Sequence, residues 1–212
     1  KHTKDYQSGA LSFEIISNGK KLISNCGYYK KYISKLNQLS KSSAAQSTLT
    51  IDDNSSCKFN KYQNFFLIKN GLKIVKRESI FEKNYWKINA SHDGYLKKYN
   101  SIHEREIEFY PEKMTFIGID KIIKKKTNHN YKFDIRFHVE PGVKLMKTQD
   151  NKTILIELYD EGWKFTCDNY DISIDNGLYF GNKNLYTENQ NIYISGISNK
   201  QIENIKWEIK KI

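Results

Sequence analysis

Arginine is scarce in this chain. It stands only at positions 77, 105 and 136 among 35 basic residues, so lysine carries nearly all of a formal net charge of +11. The lysines are spread along the 212 residues, apart from "KIIKKK" at 121–126. Nucleic-acid modules concentrate their charge and carry recognisable motifs. Neither is present, and no nucleic-acid partner is expected. Cysteine is also scarce: Cys26, Cys57 and Cys167 form no C-x-x-C pair and no zinc-ribbon spacing. An odd count argues against a full disulfide framework. It leaves three structural thiols, or one disulfide and a spare. No apolar run approaches the roughly 18 residues of a membrane helix, and nothing resembles a signal peptide; no membrane association is expected. The five histidines (2, 92, 103, 129 and 138) never fall at H-x-x-x-H or H-x-H spacing, which would put two ligands on one metal. There is no G-x-S-x-G, no P-loop and no dinucleotide fingerprint, so no cofactor is expected. The chain opens on Lys1 rather than Met, as a processed chain or a piece of a longer one would.

What is abundant is lysine, asparagine, isoleucine and tyrosine. Codon bias accounts for that composition, and so does a surface that attracts polyanions. Helical signals are few. "YYKKYISKLNQLSKSS" (28–43) places Tyr29, Ile33, Leu36 and Leu39 near helical spacing and reads as one short helix or an irregular excursion. Almost everything else reads as strand. "ALSFEIIS" and "KKLISN" flank Asn18-Gly19, a strong hairpin signal. A dozen further segments follow, from "STLTID" to "IKWEIKK", each short, β-branched or aromatic, and bounded by turn residues. The expectation is an all-β fold: one large antiparallel two-sheet β-sandwich over residues 1–212, with at most one or two short helices, within 28–43.

Alternation assigns faces. In "FDIRFHVE", Phe133, Ile135, Phe137 and Val139 share one face, and Asp134, Arg136, His138 and Glu140 the other. In "HEREIEF", His103 and Arg105 share a face with Ile107 and Phe109, opposite Glu104, Glu106 and Glu108. That parity carries His103 towards a core face, near the rim of a sandwich. In "SHDGY", Asp93-Gly94 reads as a hairpin turn, with Asp93 either orienting His92 or making the turn. His92, Tyr95, His103 and Arg105 are candidate glycan contacts. Arg105 suits a carboxylate through its planar fork, or pairs with a neighbouring Glu.

Taken in order, "GALSFEIISNGKKLISNCG", "AAQSTLTIDD", "SHDGYLKKYNSIHERE", "IRFHVEPGV" and a terminal "IKWEI" resemble the C-terminal β-sandwich domain of the heparinase II/III-like polysaccharide lyases. The likeness spans nearly the whole chain and is greatest to a proteobacterial branch of uncertain substrate. It implies a β-elimination on an acidic, uronate-containing polysaccharide: the carboxylate is neutralised, a base removes the C5 proton, and an acid assists the leaving oxygen. It implies a helical α/α toroid domain upstream of Lys1 as partner, and a cell-envelope or periplasmic location. The 212 residues alone are then expected to be inactive.

The family's opening strand carries two histidines and an aspartate before a Ser-Phe. Placed against Ser12-Phe13, these fall on Tyr6, Ser8 and Ala10. The resemblance implies a catalytic position at Tyr6, and zinc-ligand positions at Ser8, Asn25 and Gln46. Hydroxyl and amide groups are poor zinc ligands, so no metal is expected there; Asn25 and Gln46 are expected to hydrogen-bond each other instead. Tyr6 can move a proton if a neighbouring cation lowers its pKa. The alternative reading is a non-catalytic carbohydrate-binding or scaffolding module.

Overall fold

The computed structural model describes residues 5–31, 34–125, 129–181 and 185–212. The strands are β1 (Ile15–Ser17), β2 (Lys20–Ile23), β3 (Leu49–Ile51), β4 (Lys58–Tyr62), β5 (Phe65–Asn70), β6 (Ile74–Glu82), β7 (Tyr85–His92), β8 (Ser101–Tyr110), β9 (Thr115–Lys124), β10 (Tyr131–His138), β11 (Lys144–Lys147), β12 (Thr153–Leu158), β13 (Glu161–Thr166), β14 (Ile172–Tyr179), β15 (Thr187–Ser198) and β16 (Ile202–Lys211). Two short helices, α1 (Lys35–Ser40) and α2 (Leu96–Tyr99), interrupt them. Strand makes up 58% of the fold and helix 8%, as the alternation requires. An eight-stranded sheet, β11-β12-β13-β16-β9-β8-β7-β6, packs on a four-stranded sheet, β14-β15-β10-β3. All pairings between named strands are antiparallel.

The core lies between the two sheets. Phe133, Ile135, Phe137 and Val139 of the small sheet are fully buried and meet Trp163, Phe165, Trp207 and Ile209 of the large one. Phe137 packs edge-on to Trp207 at 5.0 Å between centroids. Burying each such side chain stabilises the fold by roughly 1.5–3 kcal/mol. Gly118 of β9 lies beneath the Trp207 indole, and a Cβ there would overlap the ring. The Asn18-Gly19 turn closes β1 on β2 with both central residues at positive φ, 46° and 75°, the geometry of a type I′ hairpin.

Three details depart from the sequence reading. Strands β4 and β11 carry too few β-branched residues to stand out. The helix α2 lies outside 28–43, directly after Asp93-Gly94. That pair therefore does not make a two-residue hairpin; a helical turn ending at Asn100, with φ of 50°, joins β7 to β8. Asp93 instead accepts the Lys73 amide at 2.6 Å and ties down the chain entering β6.

Among the described residues, no helix is long and apolar enough to cross a membrane. Cys26, Cys57 and Cys167 are free and buried, which agrees with three structural thiols.

Candidate functional site

The inner face of the large sheet carries an ionic network where an apolar core would be expected. Antiparallel register sets Arg105 of β8 opposite Asp120 of β9, and His92 of β7 opposite His103 of β8. Asp120 accepts from Arg105 Nε at 2.8 Å, from Arg105 Nη2 at 3.0 Å, from His103 Nε2 at 2.7 Å and from Trp207 Nε1 at 2.9 Å. The guanidinium beside it holds the Asp120 carboxyl below the usual carboxylate range against the opposing effect of burial.

Hydrogen bonding also settles the histidine tautomers. The Gly94 amide donates to His92 Nδ1 at 3.1 Å, so the His92 proton sits on Nε2 and is donated to His103 Nδ1 at 3.2 Å. His103 in turn donates from Nε2 to Asp120. Both rings are neutral, and burial lowers both pKa values.

Arg105 reaches outward from this network. Its Nη1 donates to the carbonyls of Leu11, at 2.8 Å, and Ser47, at 2.6 Å. Its guanidinium also stacks 5.3 Å from the Phe13 centroid. The large sheet thereby grips two irregular segments, residues 8–14 and 43–48, which line a groove of about 860 Å³. Tyr6, Gln7, Lys21, Asn25 and Gln46 face this groove, with Lys21 paired to Glu14 at 2.9 Å.

Four candidate glycan contacts are thus placed differently from expectation. His92, Tyr95, His103 and Arg105 are each at most 3% exposed, too enclosed to touch a polymer. The glutamates of β8 point to the other face, so Arg105 pairs with Asp120 instead. Tyr95 donates its hydroxyl to the Leu49 carbonyl at 2.7 Å and anchors α2, and burial pushes its pKa up. These four residues hold the walls of the site. Asp120 went unnoticed in the sequence, yet the signal was there. It sits at the same parity as Phe116, Gly118 and Ile122, an acid on an inward face.

Of the three positions the resemblance assigns to zinc ligands, Asn25 and Gln46 line the groove and Ser8 does not. Ser8 is fully buried and points away from the groove; its Oγ lies 2.9 Å from Ser56 Oγ and accepts the Cys57 amide at 2.9 Å. Gln7 shares the groove with Asn25 and Gln46. Two residues before it stands Asp5, which accepts from Tyr28 at 3.4 Å. Asn25 and Gln46 are not bonded to each other. Asn25 Oδ1 accepts the Ser47 amide at 2.8 Å, while Gln7 and Gln46 both donate to the Ser40 carbonyl, at 2.8 and 3.2 Å. Three neutral amides already engaged with backbone do not fit a zinc ion. Among the described residues there is no cluster of three or more His, Cys, Asp or Glu that could hold a metal.

Tyr6 borders the groove, with its ring 6.5 Å from Phe59. Burial, and then the neighbouring Cys57 thiol, raise its pKa. A raised pKa favours the protonated phenol, a hydrogen-bond donor. His2, the nearest histidine in sequence, lies outside the described residues.

The sequence matches the family model described as heparinase II/III-like, C-terminal, over residues 1–208. A search of curated proteins finds none that matches. Among solved structures, a heparan sulfate lyase from Pedobacter heparinus superposes with a TM-score of 0.77 at 14% identity, and a mutant of it with 0.78 at 15%. A heparinase III superposes with 0.74 at 14%. Each match covers 97% of this chain and 30% of the other. At these identities the likeness is one of fold.

Proposed function

This chain belongs to the heparinase II/III-like family through its C-terminal domain, and we propose that it forms the sandwich wall of an acidic-polysaccharide lyase. Its groove beside Tyr6 would face a uronate-containing chain, and a helical toroid domain would supply the opposing wall in the cell envelope. One observation carries the assignment of the groove: Gln7, Asn25 and Gln46 converge on an open cleft with Lys21 at its edge. Amides can bond sugar hydroxyls through both donor and acceptor atoms, and Lys21, held at the rim by Glu14, adds a further donor beside them. In β-elimination the leaving oxygen needs a proton. Tyr6, with its raised pKa, suits that acid role and not the base.

The second reading is a carbohydrate-binding module without catalysis. It is favoured by Ser8, Asn25 and Gln46 at the zinc-ligand positions and by Tyr6 where the resemblance puts a histidine. Titration of uronate oligosaccharides and a DNA duplex of matched charge across a salt series tests binding. Oligosaccharide binding that persists near physiological salt, and weakens in Gln7→Ala, is expected; DNA bound better at every salt would overturn the reading. Ultraviolet absorbance of unsaturated uronate products separates lyase from module. The isolated chain is expected to release none, and the chain joined to its toroid is expected to release them, more slowly in Tyr6→Phe. A joined protein that binds uronate chains without cleaving them is the module.

A further inference from the structure

A second groove, of about 920 Å³, opens between α2 and the β4–β5 hairpin. Four lysines line it: Lys58 and Lys69 from the hairpin, Lys97 and Lys98 from α2. Asp93 is the one carboxylate on its lining, and that group is engaged with the Lys73 amide. All four lysines are exposed. Lys98 donates to Asn54 at 2.8 Å, while Lys58, Lys69 and Lys97 have no ion-pair partner among the described residues.

The fold holds these cations together despite their repulsion. Tyr95 and Tyr99 are buried and pin α2, and Tyr99 Oη accepts from Asn54 at 2.7 Å. At the floor the two walls touch: a Cβ on Gly94 would come 2.5 Å from the Ser56 carbonyl oxygen. The walls therefore cannot drift apart to relieve the charge without losing buried contacts. Phe59 belongs to this groove, and its ring faces Tyr6, so the two grooves adjoin.

We infer that this lysine-walled groove is a cationic subsite for a segment of acidic polysaccharide lying beyond the one at Tyr6. The inference rests on the acidic-polysaccharide reading and adds a second point of attachment. The lining favours a glycan over nucleic acid. Gln38, Ser42, Asn54, Ser55 and Asn70 offer amides and hydroxyls for sugar hydroxyls. The lining has no arginine, Tyr95 and Tyr99 are buried, and the half-buried Phe59 is left as a single ring for a base to stack on, where single-stranded nucleic acid uses several.

The test titrates the 212-residue chain with hexagalacturonate, a heparin-derived hexasaccharide and a DNA duplex of matched charge at about 0.15 M salt, where charges farther apart than about 8 Å are screened. The double variant Lys58→Glu, Lys97→Glu is compared with Lys206→Glu, Lys210→Glu, which makes the same charge change at exposed positions of β16. The groove pair is expected to weaken hexasaccharide binding roughly tenfold or more and the control pair less than about threefold, because only nearby charges act at this salt. Unchanged thermal midpoints show that both variants fold. Equal losses in the two pairs overturn the subsite and leave the acidic-polysaccharide reading standing. A parent chain that binds neither hexasaccharide, or prefers DNA at every salt, overturns that reading and the subsite with it.

Discussion

Asp120 and Arg105 form a two-point ion pair, 2.8 and 3.0 Å, with neither side chain open to solvent. A pair in this setting is held by geometry. Desolvating both charges offsets much of their attraction, but removing one strands the other. Asp120→Asn keeps the shape and leaves the guanidinium unpaired. Its expected cost is about 3–5 kcal/mol, read from urea unfolding. A loss below about 1 kcal/mol, the range of an exposed pair, would show that water reaches the site.

Arg105→Lys retains the charge but loses the fork and the bonds to Leu11 and Ser47. Amide exchange should quicken at residues 8–14 and 46–48 before it does in β12 or β13. Uniform quickening across both sheets would mean that Arg105 supports the core generally and does not pin the groove segments.

Three buried histidines tie stability to pH. His138 donates from Nε2 to the Ala44 carbonyl and faces the Cys26 thiol; burial lowers its pKa to about 4. His92 and His103 are lowered as well. All three lie below the unfolded value of about 6.5. Between the folded and unfolded values the unfolded chain binds more protons, so unfolding free energy rises with pH. Stability should be complete above about pH 6.5 and fall as the pH drops towards 4. The urea midpoint, followed through that window, should fall, and less steeply in His138→Gln. A flat midpoint contradicts the neutral, buried assignment.

Gly118→Ala places a methyl against the Trp207 indole, which cannot retreat without breaking its bond to Asp120. Overpacking of this kind costs typically about 1–3 kcal/mol. Denaturant unfolding measures it, and near-ultraviolet dichroism should report the displaced indole. A variant as stable as the parent would mean that the strand moves freely here.

Zinc is expected to be substoichiometric by elemental analysis of protein purified without chelator, because Ser8, Asn25 and Gln46 at the expected ligand positions, with Gln7 beside them in the groove, supply no anionic or imidazole ligand. One tightly held equivalent, lost in Gln46→Ala, would reverse that view of the site.

Alternation alone made the small sheet legible. Phe133, Ile135, Phe137 and Val139 had to share a face because the side-chain period of a strand is two. The Asn18-Gly19 turn was legible because few other dipeptides take positive φ twice at little cost. Sequence order across the whole chain also pointed to the family. It could not say what covers each face. His103 and Arg105 looked like rim residues because parity sets direction and not depth; only the second sheet and the 8–14 segment laid across them make them interior. It could not say that Arg105 meets Asp120, since register between strands depends on how the sandwich closes. Nor could it say that Ser8 turns inward while Gln7 faces the groove, in a segment outside any strand. Four lysines spaced over forty residues became one groove only when α2 settled against the β4–β5 hairpin. Direction along a strand is local chemistry, whereas coverage, register and the gathering of like charges come from contacts far apart in the chain.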